Sequence, residues 1–260
     1  MLPLLFSLSL CAGTVLILRG SFSGHRGLEV IGLDPQAMGM GLLAIVAAGV
    51  FWGPLYGAAL ILAVMLHEFG HVAAYRVCGH SDARFRLVPL LGGLAISSSL
   101  PASHDKDFFI SLMGPAIGLA PMTLSFVLSN ALYDQTPQLG DFLWTLGKVI
   151  AILNFFNLLP FWPLDGSKCL LLVFHTFFPS QTQNLSYVMS GAALAAGLYL
   201  QSIFLILFVL ISVRGLLRSG TFLKIQHKMS KGRAVLCFAC YIATLAAFLM
   251  GSGNLLYAIL

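Results

Sequence analysis

Runs of apolar residues long enough to enter a bilayer alternate along this chain with short polar breaks. Apolar stretches at 2–18, 37–52, 55–78, 107–130, 142–158, 184–200, 201–216 and 234–250 predict about 6–8 transmembrane helices. Polar residues mark the turns: Arg19, His25 and Arg26 in a loop over 19–35, Gly53-Pro54 before the third run, and Asp134 and Asp141 in a loop over 131–141. The run at 2–18 starts at Met1-Leu2-Pro3, without a positive n-region or a clear small-x-small cleavage site, and predicts a retained span. The polar break at Gln201-Ser202 divides 184–216 into two short spans, because the basic stretch that follows needs two crossings to stay on one side. Only residues 83–98 depart from helical patterning. Their imperfect alternation predicts two short strands around Leu91-Gly92-Gly93, with an ordinary surface loop as the competing reading.

Composition supports this picture. Of 260 residues, 58% are hydrophobic and 9% charged, against about 25% charged in soluble domains. The expected fold class is therefore an all-α polytopic membrane protein. The net charge of +5 gathers largely at 214–233, where Arg214, Arg218, Lys224, Lys228, Lys231 and Arg233 mark a cytoplasmic loop. This is a topology signal and excludes a nucleic-acid reading. Arg76, Arg84 and Arg86 put the C-terminal end of the third run on the same side. The five cysteines lie in or beside apolar segments, and Cys237-x-x-Cys240 sits in a hydrophobic helix without a redox context, which favours packing.

Chemistry enters through His67-Glu68-Phe69-Gly70-His71 inside the third run. Residues i and i+4 of a helix share a face, so both imidazoles can hold one metal ion, for which zinc is the usual occupant. Glu68 is offset from that face and is placed to act on a water at the metal. Ionisable residues in hydrocarbon are costly and mark function by default; the alternative is that the histidines only bridge helices. Arg76 lies five residues beyond His71. At about 1.5 Å per residue, the histidines lie roughly 7–8 Å inside the cytoplasmic end.

A second segment reaches the same depth. Asn154-Phe-Phe-Asn157-Leu-Leu-Pro160-Phe-Trp-Pro163-Leu-Asp165-Gly166 ends the run at 142–158. Pro160 and Pro163 break the helix. About 16 helical residues descend roughly 25 Å, which delivers Asp165 to the layer of the histidines. Two His and one carboxylate, with a water in the fourth position, is a known catalytic zinc set. Lys148 has no assigned role. His80, His104 and His175 are expected at surfaces or interfaces rather than as ligands.

These motifs together resemble the site-2 protease family of intramembrane zinc metalloproteases. The matching residues are His67-Glu68-Phe69-Gly70-His71, Pro89-Leu-Leu-Gly-Gly93, Gly114-Pro115 and Asn157-Leu-Leu-Pro160-Phe-Trp-Pro163-Leu-Asp165-Gly166, over about 55–170. The resemblance implies a three-helix catalytic core and a short re-entrant β-hairpin. It also implies one Zn(2+) per chain held by His67, His71 and Asp165, with Glu68 as the general base and acid. Asn157, Gly92 and Gly93 would contact substrate. The family often has Asn three residues after Gly-Pro, where this chain has Gly118. No stretch is long enough for the PDZ or CBS domain of some members.

The expected organisation is N-terminal spans over 1–54, a catalytic core over 55–178, and C-terminal spans over 179–260 with the basic loop 214–233. The expected function is hydrolysis of a peptide bond in or near the transmembrane helix of a membrane-anchored protein. The implied partners are that substrate and the lipid bilayer, with room for an accessory membrane protein and none for nucleic acid. The implied location is a prokaryotic plasma (inner) membrane, with the active site near the cytoplasmic face. The alternatives are a catalytically silent relative that binds or escorts transmembrane helices and a metal transporter. The intact His, Glu, His and Asp set argues against the first, and the lack of internal repeats against the second. A membrane zincin with a later Glu ligand fails because 170–260 contains no Glu.

Overall fold

The computed structural model describes residues 2–22, 46–88, 92–203, 206–207, 209–210, 223 and 225–253. Most of the loop read at 19–35, most of the span at 37–52, Pro89 to Leu91 and most of 211–224 lie outside them. The described residues include eight longer helices and one strand pair: α1 (Leu2–Leu18), α2 (Pro54–Val77), β1 (Arg84–Val88), β2 (Gly92–Ile96), α3 (His104–Ala116), α4 (Leu119–Leu132), α5 (Pro137–Asn157), α6 (Asp165–Phe177), α7 (Thr182–Tyr199) and α8 (Lys231–Ser252). Among the described residues five helical stretches are long and apolar enough to cross a membrane: Leu2–Ser21, Pro54–Val77, His104–Leu132, Pro137–Asn157 and Lys231–Ser252. The protein is a multi-pass membrane protein of all-α class.

The chain divides into two compact units, Met1–Leu100 with Met113–Phe155 and Ala246–Leu260, and Pro101–Leu112 with Phe156–Leu245. The first is organised around α2. Its most apolar window is 61% buried, against 11% for the N-terminal span. Pro54 opens α2 at a position where a missing N–H costs nothing. At the other end Gly79 takes a positive φ of 100°, and the N–H groups of Cys78, Gly79 and His80 return to the carbonyls of Ala74, Arg76 and Tyr75. The buried face of α2 is built from small residues, Gly57, Ala59, Ala63, Gly70, Ala73 and Ala74, which let other backbones come close. In the same unit α1 packs on α4, and β2 runs beside α2.

β1 and β2 pair antiparallel with Val88 opposite Gly92 and Leu87 opposite Gly93. Gly92 and Gly93 are therefore ladder residues of β2. The sequence pattern had put them at the turn, because glycine is a turn signal as readily as a site of close backbone approach.

The apolar run at 107–130 is two helices. Pro115 cannot donate to its own turn, and the chain breaks at 117–118, where the Gly118 N–H bonds the Pro115 carbonyl at 2.9 Å. α5 begins at Pro137, five residues earlier than its apolar pattern suggests, with proline again serving as a helix start. The helix Thr182–Tyr199 is not among the five crossing stretches, since Thr182, Gln183, Asn184, Ser186 and Ser190 lower its apolarity. Its expected end at Gln201-Ser202 is present, with Gln201 at φ 51°. Lys148, which the sequence left without a role, bonds the Ser252 carbonyl at 3.2 Å and lies over the Trp144 ring. It thus caps the carbonyl end of α8, where a cation is favoured.

The second unit centres on α6 and on the break before it. α5 stops at Asn157, residues 158–164 are irregular, and helix resumes at Asp165. Leu164 is extended before the helix. A Cβ on Gly166 would collide with the carbonyl of Leu158, so only glycine lets the start of α6 close against that segment. The Tyr241 hydroxyl donates to the Leu158 carbonyl at 2.6 Å and fixes it further.

Candidate metal centre

Helical periodicity puts His67 and His71 one turn apart on the buried face of α2, with Glu68 beside them. The three are 6%, 9% and 6% exposed in that order. The two imidazoles meet edge to face, with ring centroids 4.8 Å apart and planes at 81°. Their Nε2 atoms approach to 3.2 Å. Two nitrogens each about 2.0–2.1 Å from one tetrahedral zinc stand roughly 3.3–3.4 Å apart, so this spacing suits a shared ion.

Packing sets these rings. α3 presents Gly114 to His71, and a Cβ there would overlap the imidazole. One residue before His71, a Cβ on Gly70 would strike the Met113 carbonyl. Glycine on both helices therefore lets α2 and the end of α3 meet at backbone distance, with the His71 ring lying against Gly114. His67 is held from α5: its Nδ1 is 2.8 Å from Oδ1 of Asn154, a residue 1% exposed.

Asp165, the first residue of α6, is half-buried. His67, His71 and Asp165 each offer one ligand atom, and these atoms all lie within 4.8 Å of one another. Among the described residues this is the one group of three or more His, Cys, Asp or Glu able to hold a metal ion. Two imidazoles and a carboxylate are a zinc donor set, and leave a position open on a tetrahedral ion.

The other residues singled out from sequence lie elsewhere in the chain's elements. Asn157 is the last residue of α5 and is half-buried. Gly92 and Gly93 are in β2. Neither they nor Asn157 belong to the metal-holding group. His104 and His175 correct the expectation of surface or interfacial positions: they are 0% and 4% exposed. α6 buries Cys169, Leu172 and His175 at three-residue spacing, a core-face signal that was readable in the sequence. Asn154 was missed as well. Its signal was an amide alone inside an apolar helix, one turn before the motif asparagine.

No family model matches the chain. It is 28% identical over 128 residues to a zinc metalloprotease of Methanocaldococcus jannaschii, covering 49% of this chain and 36% of that protein. It is 29% identical over 143 residues to stage IV sporulation protein FB of Bacillus subtilis, covering 54% of this chain and 48% of that protein. The chain thus spans between about a third and a half of the length of these curated relatives. Among solved structures it is similar to the site-2 protease from Methanocaldococcus jannaschii, with a TM-score of 0.48 and 21% identity, over 69% of this chain and 87% of that one. The zinc-metalloprotease resemblance read from the motifs agrees with the name of the first of these curated relatives.

Proposed function

We propose that this chain is an intramembrane zinc metalloprotease that hydrolyses a peptide bond in or near the transmembrane helix of a membrane-anchored protein. The observation that carries the reading is the convergence of His67, His71 and Asp165 within 4.8 Å, with the buried Glu68 next to the first histidine on a crossing helix. His67, His71 and Asp165 hold the zinc. When bound, zinc supplies Lewis acidity to the scissile carbonyl and to the attacking water. Glu68 takes the proton of that water and returns it to the leaving amine, a role that contributes about 10²–10⁴-fold.

The substrate presents the harder problem, because a transmembrane helix hides its carbonyls in its own hydrogen bonds. It must unwind before Glu68 can act. β2 lies beside α2, and a strand edge beside that helix would offer backbone partners to an extended segment. This supports a substrate-guiding role for the hairpin, with Gly92 and Gly93 permitting close approach and Asn157 adding an amide. The arginines that follow α2 support a site near the cytoplasmic face of a prokaryotic plasma membrane, and that depth gives water a short path.

The test compares membrane proteomes of cells carrying the wild-type chain and Glu68→Gln. The variant keeps its zinc and loses at least ~100-fold in cleavage, so single-span proteins or stubs accumulate only with it. A folded, zinc-loaded Glu68→Gln that cleaved an identified substrate at the wild-type rate would remove Glu68 from the chemistry.

A further inference from the structure

We infer that Asn154 is a positioning residue for the metal centre. It holds His67 in the tautomer and orientation that aim Nε2 at the ion. This rests on the reading of His67 as a zinc ligand and adds the group that prepares it.

The hydrogen bonds decide the direction. The Asn154 amide nitrogen donates to the Ile150 carbonyl at 2.9 Å, one turn back on α5. That bond orients the side chain and leaves Oδ1 facing His67, 2.8 Å from its Nδ1. A carbonyl oxygen only accepts, so Nδ1 of His67 carries the proton. Nε2 then keeps its lone pair, and it is Nε2 that stands 3.2 Å from Nε2 of His71. An imidazole ligand is commonly oriented and made more basic by an acceptor on its other nitrogen.

Burial makes the arrangement stiff. Asn154 is 1% exposed and Ile150 fully buried. On the opposite side the amide lies against Gly118, where a Cβ would stand 2.5 Å from Asn154 Nδ2 and 3.0 Å from Ile150 Cγ2. The absent side chain at Gly118 is therefore the space that the Asn154 amide fills. The departure from the family pattern at Gly118 and the amide on α5 are two sides of one packing arrangement.

The test is zinc affinity by chelator competition on the purified full-length chain in detergent, beside the thermal stability of the metal-free form. Asn154→Leu keeps the shape and deletes the acceptor. It should weaken zinc binding 10–100-fold. Asn154→Asp restores an acceptor to Nδ1–H and should bind zinc close to wild type. With cobalt(II) as the probe, the visible absorption envelope should change in Asn154→Leu and return in Asn154→Asp, a pattern that loss of packing alone does not produce. Equal affinity in wild type and Asn154→Leu, or equal loss in the Leu and Asp variants, overturns the assignment. If Asn154→Leu does not fold, Gly118→Ala carries the test by pressing on the amide; unchanged zinc affinity there overturns it equally. A wild-type chain that takes up no zinc refutes the metalloprotease reading itself, and the positioning role with it.

Discussion

Two pairs of buried histidines in this molecule look alike and differ in kind. His67 and His71 lie edge to face at 4.8 Å and 81°; His104 and His175 lie edge to face at 5.3 Å and 76°. In the first pair the two Nε2 atoms stand 3.2 Å apart, and a carboxylate oxygen lies within 4.8 Å of a ring nitrogen of each. In the second pair one nitrogen of each ring bonds a separate partner. Nε2 of His104 donates to the Leu223 carbonyl at 3.0 Å. His175 Nδ1 donates to Thr182 Oγ1 at 2.9 Å, since that hydroxyl spends its own proton on the Phe178 carbonyl. The ring contact alone therefore says little. Ligands are made by nitrogens with a common focus and a third donor, whereas the second pair ties together the chain segments that its partners belong to.

The sharpest way to break this comparison is to remove the third donor. Asp165→Ala should lose most bound zinc, read as metal content of the purified chain, while the fold persists. Metal content equal to wild type would mean that the histidines find another third ligand. A smaller effect is expected in the other pair. His104→Leu leaves the Leu223 carbonyl buried without its donor, at a cost of about 1–3 kcal/mol. Thermal unfolding in detergent should show the loss, with zinc content unchanged. A folded His104→Leu that lost its zinc would erase the distinction between the pairs.

The smallest effect concerns a fifth histidine, half-exposed, that serves neither purpose. His80 follows α2 and meets Ser97 and Ser99 through Nδ1 at 3.0 and 3.2 Å. In the same cluster the backbone N–H of Ser98 donates to Asp82 at 2.6 Å, and this bond, with further help from Ser97, holds the Asp82 carboxyl down at about 2. A carboxylate with a depressed pKa stabilises the folded form above its ordinary value near 4 and loses that contribution as pH falls toward 2. Asp82→Asn should therefore speed hydrogen exchange at Ser98 near neutral pH, and the difference from wild type should fade between about pH 4 and 2. Because Asp82 lies at the surface, the effect is local and zinc content stays the same. A difference that persisted at pH 2 would mean that the charge is not what holds the segment.

Much of the candidate site was legible because it is local. The i and i+4 spacing of His67 and His71 on an apolar helix follows from 3.6 residues per turn, and Pro160 and Pro163 end a helix in any surroundings. Counting along the helix also put Asp165 within reach of the histidines, and its carboxylate lies within 4.8 Å of their ligand atoms. The same logic faltered where one residue type serves two purposes. Glycine at 92 and 93 read as a turn and proved to be strand. Proline at 137 read as loop and proved to open a helix. The polar face of Thr182–Tyr199 was hidden in a run that averages to apolar.

Side-chain partners were the part that no periodicity reaches. His104 carries no sign of burial in its neighbouring letters, because its hydrogen-bond partner stands 119 positions away. Lys148 finds the end of α8 across 104 residues. Asn154 meets His67 across 87, and it does so only because Gly118 leaves room. The sequence by itself determined the membrane class, the histidine-bearing face of α2, the helix break before Asp165 and the family likeness, all of which rest on short-range geometry. Tertiary structure alone decided which buried histidines focus on one point, which amide orients them and which cation caps which helix. Those outcomes depend on backbones meeting at glycines far apart in the chain, and close packing admits only the side chains that fit the space left between them.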